Sequence, residues 1–141
     1  MHPRPLPTDA HLALLGVLWR IGPATVREVH EALPDEARRG YTTTLKLMQI
    51  MTERGLVRRD ESRRSHVYVA AIGEEEVQSA LVDDLASRAF SGSSAKLVLR
   101  ALSQRPTSRE ELDSIRRLLD KIEDLEPPKG DEAHGEEGAR S

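Results

Sequence analysis

Between residues 40 and 71 the chain reads GYTTTLKLMQIMTERGLVRRDESRRSHVYVAA, and within that stretch its apolar period switches from helical to alternating. One segment cannot serve both periods, because side chains repeat about every 3.6 residues around a helix and every 2 along a strand. From 41 to about 54, with residues set roughly 100° apart, Leu45, Leu47, Met48 and Met51 fall on one broad face, with Thr44 and Thr52 among them. Gly55 closes that helix. Val57–Arg59 alternates weakly and His66–Val69 clearly, around a charged turn at Asp60–Arg64, which predicts a β-hairpin even though the turn has no glycine.

Two helices precede it. In TDAHLALLGVLWRIG, Leu12, Leu15, Leu18 and Trp19 recur at helical spacing between an N-cap at Thr8 or Asp9 and a stop at Gly22. In ATVREVHEALP, Thr25 caps, Val26, Val29 and Leu33 form the stripe, and Pro34 ends it. Three helices followed by a hairpin with a basic tip is the order of a winged helix-turn-helix, whose third helix enters the major groove of DNA. The same arrangement also serves as a protein-interaction scaffold that does not bind DNA, which is the rival reading.

The exposed face of the third helix helps decide between them. It carries Thr42, Thr43, Lys46, Gln49 and Glu53, with Ile50 beside them. Three successive threonines are poor helix formers, since β-branching stiffens χ1. Hydroxyl, amide and lysine side chains are, however, those that reach phosphates and base edges. Thr42, Thr43, Lys46 and Gln49 are therefore the candidate base and phosphate contacts, although Thr42 could equally be an N-cap. Arg58, Arg59, Arg63 and Arg64 cluster at the wing, where two of the four could instead pair with Asp60 and Glu61. Thr25 could offer its hydroxyl to a phosphate at a helix N-terminus, or be a plain cap.

A net charge of −3 looks unfavourable for a nucleic-acid partner until it is resolved along the chain. Residues 1–71 carry 11 Lys/Arg against 8 Asp/Glu, and residues 72–141 carry 10 against 16. Between 38 and 64 the ratio is 8 to 3. The basic charge thus collects on the segment with the candidate contacts.

Other functions find little support. With no cysteine, disulfides, thiolate metal sites and a cysteine nucleophile are excluded. The five histidines lack partners at metal-ligand spacing, and no nucleophile-elbow, P-loop or zinc-protease pattern is present, so neither a metal, a cofactor nor an enzyme is expected. No apolar run nears the roughly 18 residues of a membrane span and no signal core is present, so a cytoplasmic protein without membrane insertion is the expectation.

Beyond Ile72 three more helices are expected. GEEEVQSALVDDLASRAF uses Val77, Leu81, Leu85 and Phe90. AKLVLRAL follows the SGSS break, and the third opens on a Ser108–Glu111 capping box and carries Leu112, Ile115, Leu119 and Ile122. So short a segment cannot enclose its own apolar faces. Either a second copy covers Leu81, Leu85, Leu97, Leu112, Ile115, Leu119 and Ile122, or the helices pack back on the N-terminal unit. The expected organisation is mainly α: a winged helix-turn-helix over 1–72, a helical dimerisation region over 73–125, and an acidic, glycine-rich, disordered tail over 126–141.

The run from LLGVLWRIGPATVREVHEALP through YTTTLKLMQIMTERGLVRRD closely resembles the penicillinase-repressor family. Shared features are LW late in helix 1, the TVREV helix, YTT opening the recognition helix, GL before the wing and a tyrosine on the return strand. FSGSSAKLVLRAL and SREELDSIRRLLDK resemble that family's dimerisation helices, so the likeness covers about residues 6–125. It implies a homodimeric repressor on a palindromic operator, with β-lactam or cell-wall stress genes as targets and a membrane sensor protease as a further partner. Three departures stand out. Ile50 replaces a usual arginine of the recognition helix. No cysteine cluster for copper sensing is present. Arg100-Ala101 stands where β-lactam-responsive relatives are cut at Asn-Phe, which leaves a protease of altered specificity or release without cleavage.

Overall fold

The computed structural model describes residues 6–125. The tail expected over 126–141 lies outside the described residues, as does His2. The elements in chain order are α1 (Asp9–Ile21), β1 (Ala24–Thr25), α2 (Val26–Ala32), α3 (Tyr41–Glu53), β2 (Val57–Asp60), β3 (Val67–Ala70), α4 (Glu74–Ala89), α5 (Ser94–Gln104) and α6 (Arg109–Leu125). The architecture is mainly α, with a three-stranded antiparallel sheet ordered β1-β3-β2. It is a winged helix-turn-helix followed by further helices.

Local chemistry sets the ends of the helices. Thr8 caps α1, its hydroxyl accepting from the His11 amide at 3.2 Å. At Thr25 a full capping box forms: the Glu28 amide donates to the Thr25 hydroxyl at 3.1 Å, and the Thr25 amide donates to the Glu28 carboxylate at 2.8 Å. Gly55, at φ 78°, turns α3 into β2 in a conformation that a side chain would strain. The Ser108–Glu111 box opens α6 as its spacing predicts.

Strand β2 pairs with β3 from Val57↔Ala70 to Asp60↔Val67. The strand that the sequence did not show is β1, where Ala24 pairs with Tyr68 and Thr25 with Val67. Two residues are too few to display a period. The glycine-free turn of the hairpin is built by Asp60, whose carboxylate accepts from the Ser62 amide, the Ser62 hydroxyl and the Arg63 guanidinium. An Asx-type turn replaces a glycine one.

The core of the first compact unit, which ends at Ser94, is drawn from every element it contains. Leu14, Leu15, Val17 and Leu18 of α1 meet Val29, Met48, Met51, Leu56, Val57 and Tyr68. The Trp19 indole N–H donates to the Ile72 carbonyl at 3.0 Å, holding α1 to the end of the wing. Helix α4 belongs to this unit and not to a region beginning at residue 73, because Val77 is 1% exposed in the same core and Leu81 packs against it. The second unit contains α5 and α6.

Truncating Leu15, fully buried on α1, to alanine should cost about 2–5 kcal/mol of unfolding free energy, measurable by urea denaturation. A second expectation concerns His11, 4% exposed, whose Nδ1 has no partner among the described residues. Burial first, and the Arg54 charge second, push its pKa below the ordinary histidine value. The folded chain therefore holds His11 neutral, while the unfolded chain protonates near pH ~6.5. Its contribution is complete above that pH and is lost as the pH falls through the lower folded value. Thermal unfolding should move to lower temperature on acidification from about pH 7.5 to 5, and His11→Leu should flatten that dependence.

Candidate nucleic-acid interface

Helix α3 divides cleanly. Thr44, Met48 and Met51 are buried and Leu45 and Leu47 half-buried, whereas Thr42, Thr43, Lys46, Gln49 and Glu53 are exposed. The four candidate contacts on α3 thus lie on one uninterrupted outer face, with half-buried Ile50 along its edge. Thr52 departs from expectation. It is exposed, and its hydroxyl donates back to the Met48 carbonyl at 2.8 Å, so it does not join the core face. Thr42 is not the cap of this helix: Gly40 occupies that position and offers no side-chain hydrogen bond. Thr42 and Thr43 accordingly have no capping task.

The wing sorts its four arginines. Arg59 Nε donates to Glu61 at 3.0 Å, and Arg63 Nε to Asp60 at 3.2 Å. The hydrogen bond that Glu61 accepts, and its charge, hold Arg59 above the usual arginine range. Hydrogen bonds from the Ser62 side chain and amide, ahead of Arg63, lower the pKa of Asp60. Arg58 and Arg64 are exposed, and neither has a salt bridge among the described residues. The wing thus leaves two arginines without a salt bridge and engages two in its own turn.

Thr25 sits at the junction of β1 and α2 with its side-chain oxygen engaged by the cap. Its hydroxyl proton is left available, because a hydroxyl donates once and accepts twice.

Two residues escaped the sequence reading. The Arg27 guanidinium lies over the Tyr41 ring, 4.7 Å from its centroid, and both side chains are exposed. His30 meets the same ring edge-on, with centroids 5.6 Å apart, and its Nδ1 shares a 2.8 Å hydrogen bond with the buried Thr44 hydroxyl. Helix α2 is thus fastened to the first turn of α3. The signal was available: TVREVH and GYTTT each begin at a helix start, and Arg27 and Tyr41 fall in the first turns. Arg38, counted above as basic surface, is instead internal. It donates to the carbonyls of His30, Glu31 and Leu33 and to Asp35, satisfying the C-terminal end of α2.

Of the remaining candidates, Leu81 is half-buried against the N-terminal core and Leu85 is 44% exposed. Leu97, Leu112 and Ile115 are half-buried, while Leu119 and Ile122 are 55% and 48% exposed. Neither α5 nor α6 has any fully buried residue, and Val98, Leu99, Leu102, Leu118 and Leu125 are also exposed. The described residues contain no cluster of three or more metal-ligating side chains and no helix long and apolar enough to cross a membrane.

A polar outer face on the second helix of the turn, beside a hairpin with unpaired arginines, defines the winged helix-turn-helix class of regulators. The comparisons narrow this. The family described as "Penicillinase repressor" matches residues 7–121. The chain is 32% identical over 116 residues to "Transcriptional regulator BlaI" in two strains of Mycobacterium tuberculosis, covering 82% of this chain and 83% of the relative. The chain belongs to the penicillinase-repressor family of transcriptional regulators.

Substituting Thr25 by alanine should remove the capping box and cost about 1 kcal/mol of stability. Serine in its place should restore most of the loss in the same denaturation assay.

Proposed function

We propose that this repressor binds a palindromic operator as a homodimer, with one winged helix-turn-helix on each half-site. What carries the reading is the outer face of α3, where Thr42, Thr43, Lys46 and Gln49 stand exposed together while the opposite face is buried. Lys46 and Gln49 are long enough to reach base edges in the major groove, and the two threonines suit phosphate or base contacts. Arg58 and Arg64 hold flanking phosphates. Thr25 and the stacked Arg27 add phosphate contacts at the start of α2. Arg59 and Arg63 shape the wing and contribute less.

Dimerisation rests on Leu85, Leu97, Leu112, Ile115, Leu119 and Ile122, with Leu81 contributing less because it already packs within its own unit. The supporting observation is that α5 and α6 bury nothing completely while presenting a row of exposed leucine, isoleucine and valine. A second copy covering those faces would gain the usual return on buried apolar area.

Three outcomes test this reading. Duplexes selected from a random pool should bind with log K falling against log salt at a slope of roughly −5 to −9, if the dimer neutralises about 6–10 phosphates. A slope near zero would favour the protein-scaffold reading. Lys46→Ala should cost about 1–3 kcal/mol on the selected sequence, whereas Arg64→Ala should weaken all duplexes alike and make the slope shallower. Replacing Ile115 and Leu119 together by aspartate should yield monomers in sedimentation; an unaltered dimer would remove α6 from the interface.

The membrane sensor protease remains a proposed partner. Arg100 and Ala101 are exposed side chains within α5, so cleavage there requires local opening of the helix. Fragments ending near residue 100, found by intact mass in cells exposed to a cell-wall antibiotic, would establish cleavage. Derepression with the chain at full length would establish release without it.

A further inference from the structure

Beside the DNA-reading face lies a cavity of about 510 Å³ between the start of α1, the loop after α2 and the first turns of α3. That volume is within the range of small-molecule sites, roughly 300–1,000 Å³. Its floor is apolar: Leu14 and Leu33 are almost fully buried and Leu47 half-buried. The space exists because its walls are small, with Ala10, Ala13 and Ala37 where larger side chains would fill it.

The rim is charged and unbalanced. Asp9 and Glu36 both line the cavity, and neither carboxylate has a salt bridge among the described residues. The one cation there, Arg39, donates to the Glu36 backbone carbonyl at 3.2 Å and not to a carboxylate. Two carboxylates against one guanidinium, above an apolar floor, complement a molecule with an apolar body and a primary ammonium group. An anionic ligand would face net repulsion, and an uncharged one would gain no charge contact with the exposed rim.

The position of the cavity makes it more than a void. Thr43 lines it and is also exposed on the outer face of α3. Thr44, next along, lines it too and is the residue hydrogen-bonded to His30. A ligand here would touch the two residues that connect the first turn of α3 to DNA on one side and to α2 on the other.

We propose that this cavity is an effector site for a small amphipathic amine, and that occupancy lowers operator affinity by drawing the Thr43 hydroxyl toward the ligand and away from DNA. The regulatory half rests on the operator-binding reading above; the binding half does not. Linkage requires the reverse effect as well, with bound duplex weakening the ligand by the same factor.

The probe is 2-(1-naphthyl)ethylamine, titrated into the full chain and followed by amide NMR, with 2-(1-naphthyl)ethanol and 1-naphthylacetate as uncharged and anionic controls. A ligand of this size should bind with Kd on the order of 0.1 mM, with saturable shifts concentrated at Ala13, Ala37, Thr43 and Thr44. Both controls should bind at least about fivefold more weakly, the loss of one favourable charge contact. Ala10→Trp, an exposed position on α1 whose substitution leaves the core intact, should block the site. Asp9→Asn with Glu36→Gln should erase the preference for the amine while the naphthyl group still binds weakly. Unchanged thermal unfolding checks that these variants fold. Shifts that never saturate, that centre on α5 or α6, or that persist in Ala10→Trp overturn the site. For the regulatory half, saturating amine should raise duplex Kd several-fold in the wild type and leave it unmoved in Ala10→Trp. If the amine binds in the cavity and duplex Kd stays constant or falls, the coupling is overturned. If no duplex binds even without amine, the operator reading fails instead, and the NMR titration still decides the site.

Discussion

The pairing of Ala24 and Thr25 with Val67 and Tyr68 organises the N-terminal unit far beyond its length. A two-stranded hairpin alone is marginal in water, and the wing has only four residues in each strand. The third strand gives β3 partners on both edges and places the buried Ala24 beside Tyr68. Thr25 is the last residue of that strand and the N-cap of α2, so the direction of α2 is set by the sheet. From α2 the constraint passes to α3 through the His30–Thr44 hydrogen bond and the Arg27–Tyr41 stack. The wing and α3 are thereby held in one frame, as the proposed two-point contact with a groove and its flanking phosphates would require.

Charge follows the same division of labour. Pairing all four wing arginines would leave no cation for an external phosphate; pairing none would leave the tip without an organised turn. Asp60 and Glu61 engage Arg63 and Arg59 only. The overall acidity of the chain lies elsewhere, partly in Glu74, Glu75 and Glu76, which stand in the first turn of α4 where the helix dipole favours negative charge. Net charge was a poor guide because it averages a basic segment with acidic residues that stabilise helix ends.

Periodicity made most of the elements legible. The 41–54 helix, its Gly55 stop and the alternation on each side of Asp60 carry signals local in sequence, and each element appears within a residue or two of its expected place. Features that depend on distant residues were not legible. β1 is defined only by its partner 44 positions later, in the pairing of Ala24 with Tyr68. Thr52 falls in the apolar sector by angle but is exposed, with its hydroxyl bonded back to the Met48 carbonyl. Helix α4 was expected in a dimerisation region beginning at residue 73, with packing back on the N-terminal unit as the alternative, and Val77 and Leu81 seat it on the N-terminal core. The candidate contacts on α3 were readable from residue type, since hydroxyl and amide groups on an outer face have no packing explanation. Arg27 and Tyr41 were readable only as first-turn residues of their helices; their stacking joins two helices and shows in neither alone.

On the reading proposed above, the two units would give the repressor two different means of release. Residues on α5 and α6 would act on the link between half-sites: breaking that link costs the effective-concentration advantage of a dimer but leaves each winged helix as it was. The cavity beside Thr43 would act inside a single half-site, leaving the dimer intact and changing what α3 presents. The first is irreversible when it works by cleavage and needs a protease to open a helix; the second is reversible and needs only a ligand with differential affinity for free and DNA-bound protein. In the chain's own chemistry, Arg100 and Ala101 lie inside a continuous helix, whereas Asp9 and Glu36 flank an open apolar space without salt-bridge partners. Of the two proposed mechanisms, reversible control within the half-site would require the least rearrangement of the folded molecule.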